Sequence, residues 1–293
     1  MDLILQVLQT VAPVFILAGI GVVWVKVGWE YRVEFVTRLT MTLSVPALIF
    51  VALVKTEIDP QILRDTVIAT VAAYIGVGLL MLLLVKIAKL DVRTFVAPLT
   101  FGNTGNLGLP LALFAFGTAG FDFAVIIFAI MAIFSFTIGV WVVSGGGSLL
   151  RAIKEPMVGA TILGGLFMFY DWGVPVWTMN TLELIGQIAI PVMLITLGVA
   201  VARLKSGSYG RAIWLSAVKY VICAGTAWGV GILFALPPIA LAVLVIQVST
   251  PVAVTSYMLA EKYEADADQV AGLVMVSTLM SILVIPVLLA FFI

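Results

Sequence analysis

Ten stretches of about twenty residues, nearly free of charge, leave this chain few ways to fold. They cover roughly 3–25, 33–54, 66–88, 94–117, 121–143, 149–170, 181–203, 212–235, 237–260 and 269–292. About 20 apolar residues in a helix cross the hydrocarbon of a bilayer, and each stretch is long enough. A closed barrel would instead show short segments alternating with period two. The connections are short, and nothing is left over for a soluble domain. The fold expected is an all-α integral membrane protein with ten transmembrane helices.

Composition agrees and removes several chemistries. Hydrophobic residues make up 63% of the chain and charged ones 10%, against about 25% charged in a soluble domain. Fifteen basic and fifteen acidic residues cancel, so a nucleic-acid partner is excluded. Histidine is absent, which removes imidazole relays, histidine metal ligands and Ser-His or Cys-His nucleophiles. Cys223 is the only cysteine. It lies in an apolar run and reads as a packing residue. No organic cofactor is expected.

Loop lysines and arginines give the orientation. Lys26, Arg32, Arg38, Lys86, Lys89, Arg93, Arg151, Lys154, Arg203, Lys205, Arg211 and Lys262 fall on one side, and only Lys55 and Arg64 on the other. The expected location is the plasma (inner) membrane, with both termini outside. Met1-Asp2 gives the first run no basic start, so it reads as a retained helix rather than a cleaved signal. Trp24, Trp29, Tyr31, Tyr170, Trp172, Trp177, Trp214 and Tyr263 stand at run ends and read as interface anchors.

A shift of half the chain reveals a repeat. At an offset of 146, Asn103-Thr104-Gly105 falls on Ser249-Thr250-Pro251, Asp122 on Asp268 and Ser135 on Ser281; at 145, Pro46 falls on Pro191. Residues 1–146 and 147–293 are thus expected to be two five-helix copies. Five is odd, so the second copy must be inverted, as in secondary transporters.

The two copies are interrupted at matching depths. Phe101-Gly-Asn-Thr-Gly-Asn-Leu-Gly-Leu-Pro110 opposes a regular fourth helix. Gln247-Val-Ser-Thr-Pro251 does the same to the ninth. Both lie near the bilayer midplane, where freed backbone groups need partners that lipid does not offer. Crossed broken helices would aim positive N-termini into one cavity and favour an anion. The competing use of such residues is packing, since small and hydroxyl residues also join membrane helices. Pro46 and Pro191 read as helix kinks. Lys219 lies within the eighth run, where it either snorkels to the inner surface or faces the core as a coupling or charge partner. Gln247 is a second such partner. No carboxylate lies clearly at the midplane, so coupling to sodium through carbonyl and hydroxyl oxygens stays open, as does coupling to a proton.

The segment Asn103-Thr104-Gly105-Asn106-Leu107-Gly108-Leu109-Pro110 resembles the fourth-helix crossover signature of the auxin efflux carrier family. Pro251 and Leu259-Ala260-Glu261-Lys262-Tyr263 resemble that family's ninth helix and its exit, and the resemblance spans essentially the whole chain. It implies an architecture like that of the bile-acid–sodium symporters, with a mobile core from helices 3–5 and 8–10 and a scaffold from helices 1, 2, 6 and 7. It also implies transport of organic anions, malonate or malate among them, and makes a homodimer plausible. Asn103 matches the asparagine that faces the substrate carboxylate; Pro110 and Pro251 match the crossover prolines. Thr104, Gly105, Asn106, Ser249 and Thr250 complete the expected substrate site, with Thr250 preferred over Asn106. The chain departs from plant members in its short link, Ser144 to Glu155 with a Gly145-Gly146-Gly147 hinge, and in Gly102 where they begin with proline. Both departures favour a prokaryotic small-carboxylate carrier.

The expectation is an elevator-like secondary transporter of carboxylates. A channel would more naturally carry a continuous polar helix face, and an intramembrane enzyme a catalytic cluster. An anion channel or a membrane-embedded sensor with the same fold is the alternative.

Overall fold

A computed structural model describes residues 3–56, 58–146, 156–170, 172–203 and 209–292. These form eleven helices: α1 (Leu3–Val27), α2 (Val33–Lys55), α3 (Pro60–Ile87), α4 (Val92–Thr100), α5 (Thr104–Val143), α6 (Pro156–Tyr170), α7 (Val176–Arg203), α8 (Tyr209–Leu233), α9 (Pro238–Val248), α10 (Val254–Lys262) and α11 (Ala267–Leu289). Among the described residues the only β-type pairing is one isolated bridge. By length and composition α2, α3, α5, α7, α8 and α11 are able to cross a membrane, while α6 and α9 are shorter apolar helices. The fourth and ninth runs are each divided, into α4 and the start of α5, and into α9 and α10. The expected start of the sixth run at 149, with Arg151 and Lys154, and Gly147 and Lys205 lie outside the described residues.

Capping corrects two expected boundaries. The third helix starts at Pro60 rather than 66, because the Asp59 carboxylate accepts from the N–H groups of Gln61 (2.8 Å) and Ile62 (3.3 Å) ahead of a first-turn proline. Asp65 consequently lies inside this helix, beside Arg64 at 3.0 Å. The seventh helix starts at Val176, directly after Pro175, rather than at 181. Glu183 is not simply solvated, since Lys55 of α2 meets it at 2.6 Å.

Pro46 and Pro191 sit beside matching defects. A proline removes the N–H that would reach the carbonyl four residues back and crowds that carbonyl. For Pro46 that residue is Thr42, inside a π-turn over Thr40–Ser44. For Pro191 it is Gln187, where α7 is interrupted at Ile188. Gly117, at φ +64° and ψ −154°, kinks α5 into two limbs with a backbone only glycine adopts easily.

The most extensive contacts fall within two groups. In one, α1 packs on α7, and α2 on α6 and α7. The α1–α7 crossing is backbone to backbone: a Cβ on Gly198 would collide with the Ala18 carbonyl, and one on Gly21 with the Ile195 carbonyl. In the other, α8 packs on α3, α9 and α11, and α5 packs on α9. Leu79, Leu83, Val221 and Leu283 are exposed on outer faces, as lipid contact requires.

Candidate functional site

The two interruptions meet. Phe101–Asn103 between α4 and α5, and Ser249–Ala253 between α9 and α10, run past each other as non-helical backbone. Gly102 forms an antiparallel bridge with Val252, and the Asn103 N–H donates to the Pro251 carbonyl at 2.7 Å. A Cβ on Gly102 would strike the Thr250 hydroxyl and carbonyl, and one on Gly108 the Gln247 amide. The crossing therefore needs glycine at Gly102, where backbone is met, whereas at Gly108 it is the end of the Gln247 side chain that would have to move.

Side chains from neighbouring helices hold the second interruption. The Lys219 Nζ of α8 donates to the Thr250 carbonyl at 2.9 Å and lies 3.7 Å from the Cys223 Sγ. Lys219 is fully buried, so it faces the core and does not snorkel. The Ser277 hydroxyl of α11 accepts from the Val252 N–H at 3.0 Å, while the Tyr220 hydroxyl donates to the Ser277 carbonyl at 2.7 Å. The Tyr74 ring of α3 stacks on Phe101 of the first interruption.

Several polar groups at the crossing are left over. Asn103 Nδ2, Thr104 Oγ1, Gln247 Oε1 and Ser249 Oγ are buried and have no hydrogen-bond partner. A buried polar group without a partner costs about 1–3 kcal/mol, so four around one crossing are a substantial local cost to the fold. Gln247 Nε2 donates to the Ala124 carbonyl at 3.4 Å. The Thr250 hydroxyl is occupied, donating to the Gln247 carbonyl at 2.8 Å.

A cavity of about 1000 Å³ opens between the two helix groups at the Lys/Arg-rich end, bordered by Glu34 and Arg203 on one wall and Glu261, Lys262 and Asp268 on the other. A smaller pocket of about 20 Å³ shares Thr37, Met41, Val254, Thr255 and Met258 with it and ends at Asn106 and Thr196. Asn106 belongs to the first turn of α5, and Val254 and Thr255 to the first turn of α10. Both helix N-termini thus border one small pocket, which suits negative charge. At the opposite end of α2, Leu48, Lys55 and Ile58 face Thr118 and Asp122 across a third cavity of about 580 Å³.

The expected site residues separate into groups. Asn103, Thr104, Ser249 and Gln247 come together as buried partnerless groups, and Asn106 faces the pocket. Thr250 is spent on its own turn, so Asn106 is the better placed of the two. Gly105 packs near the Phe128 ring. Pro110 is in the second position of the α-helical part of α5, after a π-turn over Thr104–Gly108, whereas Pro251 lies in the interruption itself.

Sequence reading missed Thr37, Thr40, Thr196 and Thr255 on the pocket wall, and Ser277 and Tyr220 behind it. Proximity to Pro46, Pro191 and Pro251 was the available signal for three of the threonines. Tyr31 bonds the Thr196 hydroxyl at 2.6 Å. Burial raises the Tyr31 phenol above its ordinary pKa, and that hydrogen bond pulls the other way. Among the described residues no cluster of acidic, cysteine or histidine side chains could hold a metal ion.

Known proteins point the same way. A family model described as membrane transport protein matches residues 6–148 and 142–289. An uncharacterized transporter of Methanothermobacter thermautotrophicus is 26% identical over 293 residues, covering 95% of this chain and 96% of its own. Another, from Methanocaldococcus jannaschii, is 26% identical over 276 residues, covering 87% and 88%. With several apolar helices of spanning length, this is a multi-pass membrane protein, and the chain belongs to the membrane transport protein family that includes the auxin efflux carriers.

Proposed function

We propose that the protein is a secondary transporter of small organic anions, carboxylates in particular, working by elevator-like alternating access. The observation that carries this reading is the convergence of two helix N-termini on one pocket, beside a crossing with four partnerless polar groups. Asn103 offers amide N–H groups there, so a carboxylate gains charge-assisted hydrogen bonds where helix dipoles already favour it. Residues 1–146 and 147–293 are the two inverted copies. In this reading α3, α4, α5, α8, α9, α10 and α11 move as the core, while α1, α2, α6 and α7 form the scaffold. The division of packing into two groups with a cavity between them supports it. The large cavity then faces the cytoplasm, both termini lie outside, and a homodimer would join scaffold to scaffold. Sodium or a proton is the candidate coupling ion.

Two experiments test this. Labelled malonate, malate and monocarboxylates are offered to proteoliposomes, with and without sodium or proton gradients. Protein-dependent uptake of at least one is expected, and uptake of none would sink the reading. Cysteines replacing Thr118 and Glu264, both exposed, should label from opposite sides of the membrane; labelling from one side contradicts the topology.

A further inference from the structure

Among the described residues Lys219 is the only Asp, Glu, Lys or Arg that is buried. It has no carboxylate partner: the ion pairs of the described residues are Arg32–Glu30, Lys55–Glu183 and Arg64–Asp65, none of which involves α8. A buried ammonium without a counter-charge is costly, and the Thr250 carbonyl at 2.9 Å offsets only part of that cost. We propose that the transported anion is the missing counter-charge of Lys219, so that the protein selects singly charged carboxylates and its loaded core crosses the membrane without net charge. This rests on the reading of the crossing as an anion site in a moving core.

Continuity of the backbone ties the lysine to the pocket. The carbonyl it holds belongs to Thr250, and four and five residues on, Val254 and Thr255 line the pocket that ends at Asn106. In a poorly solvated interior, attraction between unit charges persists over several ångströms. One negative charge is therefore compensated by Lys219 together with the two helix N-termini. A second negative charge would find no further buried cation among the described residues. It would meet instead a wall in which Met41, Met193, Leu197 and Met258 stand among the neutral Thr37, Thr40, Thr196 and Thr255. No side chain on that wall carries a positive charge, which places malonate and malate dianions at a disadvantage.

A consequence for energetics follows. Exchange of one bound anion for another moves the core only in its neutral, loaded form. Return of the empty core carries the lysine's charge through the membrane field, so net uptake responds to voltage while exchange does not.

The test uses purified protein and proteoliposomes of wild type, Lys219→Met and Lys219→Arg. Binding of hexanoate, benzoate, succinate and adipate is measured beside thermal melts. Counterflow of the tightest binder is then followed at 0 and −100 mV, with protein-free liposomes subtracted. Hexanoate should bind at least about ten-fold tighter than adipate of equal length. Lys219→Met should weaken the monocarboxylate by roughly ten-fold or more, with Lys219→Arg retaining most of it. Wild-type counterflow should be the same at both potentials, and that of Lys219→Met should change several-fold. Tighter binding of the dicarboxylates overturns the proposal, and so does a Lys219→Met protein with wild-type affinity and voltage-independent exchange. If Lys219→Met does not fold, the mono- against dicarboxylate comparison and the voltage test on wild type still decide. Binding of none of the four anions to wild type would instead remove the anion site itself, and this proposal with it.

Discussion

The two interruptions occupy matching places in the chain but are built differently. In the second, the backbone is tied on all sides: Thr250 by Lys219, Pro251 by Asn103 and Val252 by Ser277. In the first, Gly102 and Asn103 lean on the second for their main-chain partners, while the Asn103 amide and Thr104 hydroxyl have none. The main chain of the second interruption is braced by neighbouring helices, while partnerless side-chain groups stand on both, Asn103 and Thr104 on the first and Gln247 and Ser249 on the second. In the proposed site the second half adds the buried Lys219 and the first the Asn103 amide.

The sharpest way to break this comparison is to push the two segments apart. Gly102→Val places a branched side chain against Thr250, where even a Cβ has no room. Overpacking costs about 1–3 kcal/mol, and more where backbone rather than side chain must yield. A large fall in melting temperature and loss of transport are expected; a protein of normal stability and activity would show that the segments separate freely.

A smaller effect probes the brace alone. Ser277→Ala leaves the Val252 N–H without its acceptor, for about 1–3 kcal/mol of stability. Melting temperature should fall, while anion affinity in the folded fraction changes by less than that of Asn103→Ala. Equal losses in both variants would mean that brace and binding site are not distinct.

The smallest contrast lies between two polar residues that the sequence treats alike. Asn106→Ala removes a pocket-facing amide and should weaken binding by up to about ten-fold. Thr250→Val removes a hydroxyl already used on the Gln247 carbonyl, and affinity should change little. The reverse order would restore the preference for Thr250 that sequence position alone suggests.

Those residues illustrate what was legible beforehand. Glycine, asparagine and proline oppose a helix by local chemistry, so both interruptions are visible in the sequence at 101–110 and 247–251. Their crossing is a tertiary fact, but the shared offset anticipates it. The first interruption is narrower than its motif, because the chain resumes as a π-turn at Thr104 and leaves only Phe101–Asn103 non-helical. Lys219 was undecidable in the sequence: snorkelling and core-facing lysines differ only in helix rotation, and α8 is apolar all round. Ser277 and Tyr220 gave no signal, since a lone hydroxyl on an apolar helix looks the same whether it braces a crossing or bonds its own turn. The start of α3 was missed for a simpler reason. Apolar length was weighted above the Asp59-Pro60 cap that sets it.

The measurement that bears most directly on the proposed anion site is carboxylate binding by purified wild type and Asn103→Ala, with melting curves in parallel. Asn103 is 4% exposed and its Nδ2 has no partner in the protein, so its removal costs folding little and the ligand much. A hydrogen bond to a charged group contributes about 1.5–3 kcal/mol, which is roughly ten- to hundred-fold in affinity. That loss, with an unchanged melting temperature, is the predicted result. Unchanged affinity in a folded Asn103→Ala protein, for every anion that wild type binds, would mean the crossing joins helices and binds nothing.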